Sequence, residues 1–69
     1  MAEYGVTEVF TVKDMRVIVL DRDFEDFRAK KLVVEGSACD FRLNSIRSWV
    51  IVDKAVGEKI VAGGKVHFE

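Results

Sequence analysis

Met15-Arg-Val-Ile-Val-Leu-Asp21 constrains this chain more than any other stretch. At its centre, Val17 to Leu20 are four consecutive apolar residues, three of them β-branched. Such side chains fit a pleated surface better than a helix, and so short an unbroken apolar run reads as a strand covered on both faces. Other strands must supply that cover. At 69 residues they belong to one domain, 1–69, and a domain of this size buries only about 60% of the surface its unfolded chain exposes. Hydrophobic residues make up 49% and include five Phe, one Trp and one Tyr. That is material for one compact core but not for a core plus a deep catalytic cleft, so composition weighs against an enzyme.

The segments on either side also read as strands. Val6–Lys13 is rich in β-formers, with Val6, Phe10 and Val12 on one parity, and Lys13-Asp14 is a tight turn into the Met15 run. Arg22–Lys31 is the least β-like part. Asp23 as an N-cap, acidic Glu25 and Asp26, then basic Arg28, Lys30 and Lys31, suit a short helix as well as an extended loop. Phe24 and Phe27 are its apolar residues and the nearest candidates for a lid over the second face of the Met15 strand. Lys31–Glu35 is a strand, Glu35-Gly36-Ser37 a turn, and Ala38–Leu43 alternates with Cys39, Phe41 and Leu43 on one face. Asn44-Ser45 interrupts the alternation. Either a two-residue hairpin sets Leu43 opposite Ile46, or a bulge bends one long strand; both place Phe41, Leu43, Ile46 and Val50 inside and Arg42, Arg47 and Trp49 outside. Asp53–Glu58 reads as a loop, Gly63-Gly64 as a turn, and Lys65–Glu69 as a last strand with Val66 and Phe68 inward. Summed, the pattern predicts an all-β fold: a small five- to six-stranded antiparallel β-barrel with at most one short helical turn. Phe10, Phe41, Leu43 and Val50 form its interior.

The chemistry available is narrow. Eleven basic and twelve acidic residues give a formal charge of −1, without the basic block that phosphate-dominated nucleic-acid binding favours. Cys39 is the one cysteine, so no disulfide can form within the chain, and His67 is the one histidine, so a four-ligand Cys/His zinc site is excluded. Cys39 lies on the apolar parity of its strand and His67 on the polar parity of the last, which reads as a buried, inert thiol and not as a Cys–His pair. Asp21-Arg-Asp-Phe-Glu-Asp26 resembles the start of a calcium loop. Counting from Asp21, however, the required glycine and distal glutamate are Asp26 and Leu32, so a solvated turn is the better reading. Neither a nucleophile elbow nor a phosphate loop occurs. No catalytic residue, metal site or cofactor is therefore expected.

Arg42, Arg47 and Trp49 are the combination that stands out as a binding site. An exposed Trp beside two Arg on one sheet face stacks a base or anchors a protein partner. The competing reading covers Trp49 with the N-terminal segment or the Phe24–Phe27 loop and pairs Asp40 with an Arg; the habit of Trp in small domains favours it.

Taken in order, Val9-Phe10-Thr11-Val12, Arg16-Val17-Ile18-Val19, Lys31-Leu32-Val33-Val34-Glu35-Gly36, a β-rich stretch to Asp53 and Ala55-Val56-Gly57-Glu58-Lys59-Ile60 resemble the second-domain β-barrel of translation elongation factors of the elongation factor Tu type. In another register, Ile60-Val-Ala-Gly-Gly-Lys-Val66 resembles that family's terminal turn and strand. Asp14-Met15 departs from the usual Gly-rich first turn, and the 69 residues hold no companion nucleotide-binding domain. The resemblance implies a barrel that works as a contact surface, not as a catalyst.

The expected function is thus a non-catalytic interaction module with a protein partner, or self-association through an edge strand; RNA or single-stranded nucleic acid bound through Arg42, Arg47 and Trp49 is the alternative. Met-Ala-Glu-Tyr-Gly does not look like a signal peptide, and no apolar run approaches the roughly 18 residues of a membrane span. A cytoplasmic location and no membrane partner are expected.

Overall fold

Val12 and Met15 face each other across Lys13-Asp14, and the hairpin they close is the frame for everything else. The computed structural model describes residues 2–69. Among them, seven strands form one antiparallel sheet: β1 (Ala2–Val12), β2 (Met15–Leu20), β3 (Leu32–Val34), β4 (Ser37–Cys39), β5 (Arg42–Leu43), β6 (Trp49–Asp53) and β7 (Lys65–Phe68). One helical turn, α1 (Lys54–Gly57), stands where a loop is expected. The order across the sheet is β4-β3-β7-β1-β2-β6-β5, so β2 lies between two strands as its sequence demands.

The all-β expectation holds, but there are more strands than predicted because Ala38–Leu43 is not one strand. It breaks at Asp40-Phe41, and its two pieces, β4 and β5, lie on opposite edges of the sheet. Three Cα–Cα steps separate Cys39 from Arg42, a reach of at most about 11 Å. The sheet is therefore coiled enough to bring its edges that close. No ladder joins β4 to β5 among the described residues.

A bulge at Thr7 decides which side chains point inward. Val6 is opposite Leu20 but Glu8 is opposite Val19, so β1 carries one residue more than β2 at this point. An extra residue exchanges the faces of everything after it. Before the bulge, Tyr4 and Val6 point to the core; after it, Val9 does, beside Ile18 and Val50. Phe10 consequently lies on the outer face, in one row with Val17 and Ile51, and not in the interior.

The core fills with aromatic rings instead. Phe68 meets Phe24 at 4.7 Å between centroids, Phe41 at 4.9 Å and Tyr4 at 5.4 Å. Such edge-on pairs contribute about 0.5–1.5 kcal/mol each beyond burial. Phe24 reaches this cluster from the Asp21–Lys31 segment, which is an extended loop without helix. The loop is tied down along its length. Asp21 N donates to Gly5 O, Phe24 N to Arg47 O, Glu25 N to the Tyr4 hydroxyl, and Lys30 N and Lys31 N to Glu69 O. Phe24 is thus core and not a lid over the outer face of β2, and Phe27, 71% exposed, is no lid either.

Two further expectations fail at the β5–β6 connection. Leu43 pairs with Val50, which makes Asn44–Ser48 a five-residue loop, neither a two-residue hairpin nor a bulged strand. Asn44 Oδ1 accepts from Ile46 N and turns the chain, leaving Ile46 exposed. Leu43 keeps its inward parity but is also exposed, because β5 is the edge. The Glu35-Gly36 turn is as predicted. Both residues have positive φ, 51° and 82°, the conformation that matches the twist of a two-residue hairpin. α1 rests directly on β2, since a Cβ on Gly57 would lie 2.3 Å from the Cβ of Arg16. Only glycine allows that approach.

Candidate interaction surface

The outer face of β1, β2 and β6 gathers apolar side chains in three rows. Val19 and Trp49 form the first with Glu8; Phe10, Val17 and Ile51 the second with Arg42; Val12 and Met15 the third with Asp53. Residues directly opposite across an antiparallel pair share a face, so register alone places these side chains together. Trp49 lies edge-on against Phe10 at 5.1 Å between ring centroids. Val17, at the centre, is 5% exposed although it points away from the core, while Val12 at the end is 48% exposed. Glu8, Arg42 and Asp53, all exposed, form a charged rim. An apolar centre with a polar rim is the composition of a contact surface.

The three residues singled out in the sequence are not all brought together. Arg42 belongs to this face, and its Nη2 donates to Met15 Sδ at 3.5 Å. Trp49 is half-buried, covered by Phe10 and not by the N-terminal end or the loop. Arg47 sits in the Asn44–Ser48 loop and lines a different recess with Phe24, Phe27, Leu43 and Asn44. Asp40 pairs with Lys31, not with an arginine, and that hydrogen bond holds its carboxyl below the usual carboxylate range. Phe10, Val12, Met15 and Ile51 went unnoticed as surface residues because the Thr7 bulge is silent in the sequence. The signal available was the apolar character of both parities of β2.

Cys39 and His67 are on opposite faces. Cys39 is opposite Leu32 of the core, and its Sγ donates to Leu32 O at 3.2 Å; burial pushes the thiol pKa up, away from the reactive thiolate. His67 is opposite Glu3 and Val33 on the outside, with Nε2 3.6 Å from Glu69 Oε1. A pocket of about 280 Å³ lies beside Cys39, lined by Val34, Ser37, Ala38, Ala55, Val56 and Lys59. Among the described residues no group of three or more His, Cys, Asp or Glu is placed to hold a metal ion, and no helix is long and apolar enough to cross a membrane. Comparison with protein-family models, with curated proteins and with solved structures finds no match to this chain.

Proposed function

We propose that this chain is a non-catalytic interaction module on a small barrel-like fold, acting in the cytoplasm and binding protein through the outer face of β1, β2 and β6. The observation that carries the reading is the row Phe10, Val17, Ile51 and its apolar neighbours, set outside the core within a charged rim. Support for the barrel is the two-residue link between the sheet's edges; the resemblance to elongation-factor barrels fits the same contact role. The rim favours protein over nucleic acid. It carries two carboxylates, Glu8 and Asp53, against one guanidinium, Arg42, a balance that repels phosphates.

A photo-crosslinking residue at Val12, compared with one at Lys30 off the face, tests this in cell extract. Protein adducts identified by mass spectrometry from position 12 and absent from position 30 are expected; equal yields from both positions overturn the reading. Trp49 fluorescence titrated with single-stranded RNA at low salt should stay unquenched. Salt-sensitive quenching would reinstate the nucleic-acid alternative.

A further inference from the structure

The molecule has a third strand edge besides β4 and β5, the C-terminal half of β1. β7 pairs with β1 at Ala2 to Gly5, and Val6 exchanges hydrogen bonds with Gly63 and Gly64. Beyond the bulge, β1 pairs only with β2 among the described residues. Val12 and Met15 close a two-residue turn and so form a hydrogen-bonded pair. Hydrogen-bonded and non-hydrogen-bonded pairs alternate along the ladder, so Phe10–Val17 and Glu8–Val19 are hydrogen-bonded as well. Val9 and Thr11 therefore direct their N–H and C=O groups to the opposite edge, where no strand lies. Sheets usually blunt such an edge with short strands, Pro or Lys. β4 and β5 are three and two residues long. Glu8-Val-Phe-Thr-Val12 has no such device.

We propose that a second copy of this chain adds its own β1 here, antiparallel, about a two-fold axis through Phe10. In that register Val9 of each copy is opposite Thr11 of the other, and the free groups on both satisfy one another in four hydrogen bonds. Phe10 faces its own copy in a non-hydrogen-bonded pair, where Cα atoms come within about 4.5 Å and side chains touch. Glu8 is opposite Val12, so no like charges meet. A two-fold axis through Thr11 would instead set Glu8 against Asp14 and Val9 against Lys13, whose φ of 56° turns it out of the strand. The pairing joins the apolar faces of two copies into one surface. It rests on the reading of that face as a contact surface and names one of its partners.

Sedimentation from about 10 μM to about 1 mM tests it, since a small interface of this kind associates weakly. The wild-type chain should pass from monomer to dimer. Thr11→Pro, which removes a donor from the free edge and none from the β1–β2 ladder, should stay monomeric with an unchanged circular dichroism spectrum. If that variant does not fold, amide exchange of the wild type decides. Val9 and Thr11 amides should exchange at least about tenfold more slowly at the high concentration than at the low one. Exchange independent of concentration overturns the proposal. So does a wild type that is monomeric throughout, which leaves crosslinks from Val12 untouched. A dimer that survives Thr11→Pro but is lost in Ile51→Asp overturns the edge pairing while the contact-surface reading stands.

Discussion

Val17 and Ile18 are neighbours on β2, and water reaches neither, at 5% and 1% exposure. The reasons differ. Ile18 lies inside, in a row with Val9 and Val50 that belongs to or packs against the core. Val17 lies outside, hidden only by the side chains around it on the same face, Phe10 and Ile51 across the strands and Met15 and Val19 along its own. Burial alone does not distinguish a core residue from the middle of a surface patch. Register does, because it says which face a side chain occupies before asking what covers it.

Deleting Thr7 breaks this comparison most severely. Without the extra residue, the side chains of β1 after the bulge exchange faces, Phe10 turning inward and Val9 outward. Loss of the cooperative unfolding transition in urea is the expected result. A deletion variant with wild-type stability would mean that the bulge does not set the register. Next in size is Ile18→Ala, expected to cost about 2–5 kcal/mol as a cavity opens in the core. Ile51→Ala, the matching truncation on the outer face, should cost about 1 kcal/mol, because the patch can settle into the space and is partly wet already. Equal losses in the two would make the outer face a second core.

Gly57→Ala probes the inner face where α1 lies on Arg16. It is expected to cost about 1–3 kcal/mol through overpacking, with chemical-shift changes centred on Arg16 and α1. The smallest effects are in titration. Asp40 has a depressed pKa in the folded state, so its pairing with Lys31 contributes above the ordinary carboxylate range and is lost as pH falls through the depressed value. Lys31→Met should move the Asp40 carboxyl titration, followed by NMR, upward. Cys39 behaves in the reverse sense. Its raised thiol pKa favours folding below the ordinary thiol range, and that preference is lost as pH rises through the raised value. Alkylation of native Cys39 should be slower than that of the unfolded chain at the same pH.

Much of the strand pattern was legible. β2, β3, the Glu35-Gly36 turn and β7 stand where alternation and turn chemistry put them, and Val66, Phe68 and Cys39 face inward as their parity implies. The misses share one cause. Parity is a local count, and it fails wherever a residue is inserted or the chain changes edge, as at Thr7 and at Asp40-Phe41. Helix signals in Arg22–Lys31 were overridden by tertiary ties, with Tyr4, Arg47 and Glu69 taking the backbone groups that a helix would have used. Of the candidate site, Trp49 and Arg42 were identified from the residues alone, whereas Arg47 was assigned to the wrong neighbourhood because the turn after Leu43 spans five residues and not two.

By itself, the sequence determined that this chain is made of short antiparallel strands and that the Val17–Leu20 run must be covered on both sides. β-branching and alternation are properties of neighbouring residues, and they act wherever the chain goes. Only the tertiary structure decided what the two covers are. A one-residue bulge in β1 turned Phe10 outward against Trp49, and the aromatic cluster of Tyr4, Phe24, Phe41 and Phe68 filled the core in its place. Packing four rings around a coiled sheet depends on contacts far apart in the chain, which no local pattern encodes.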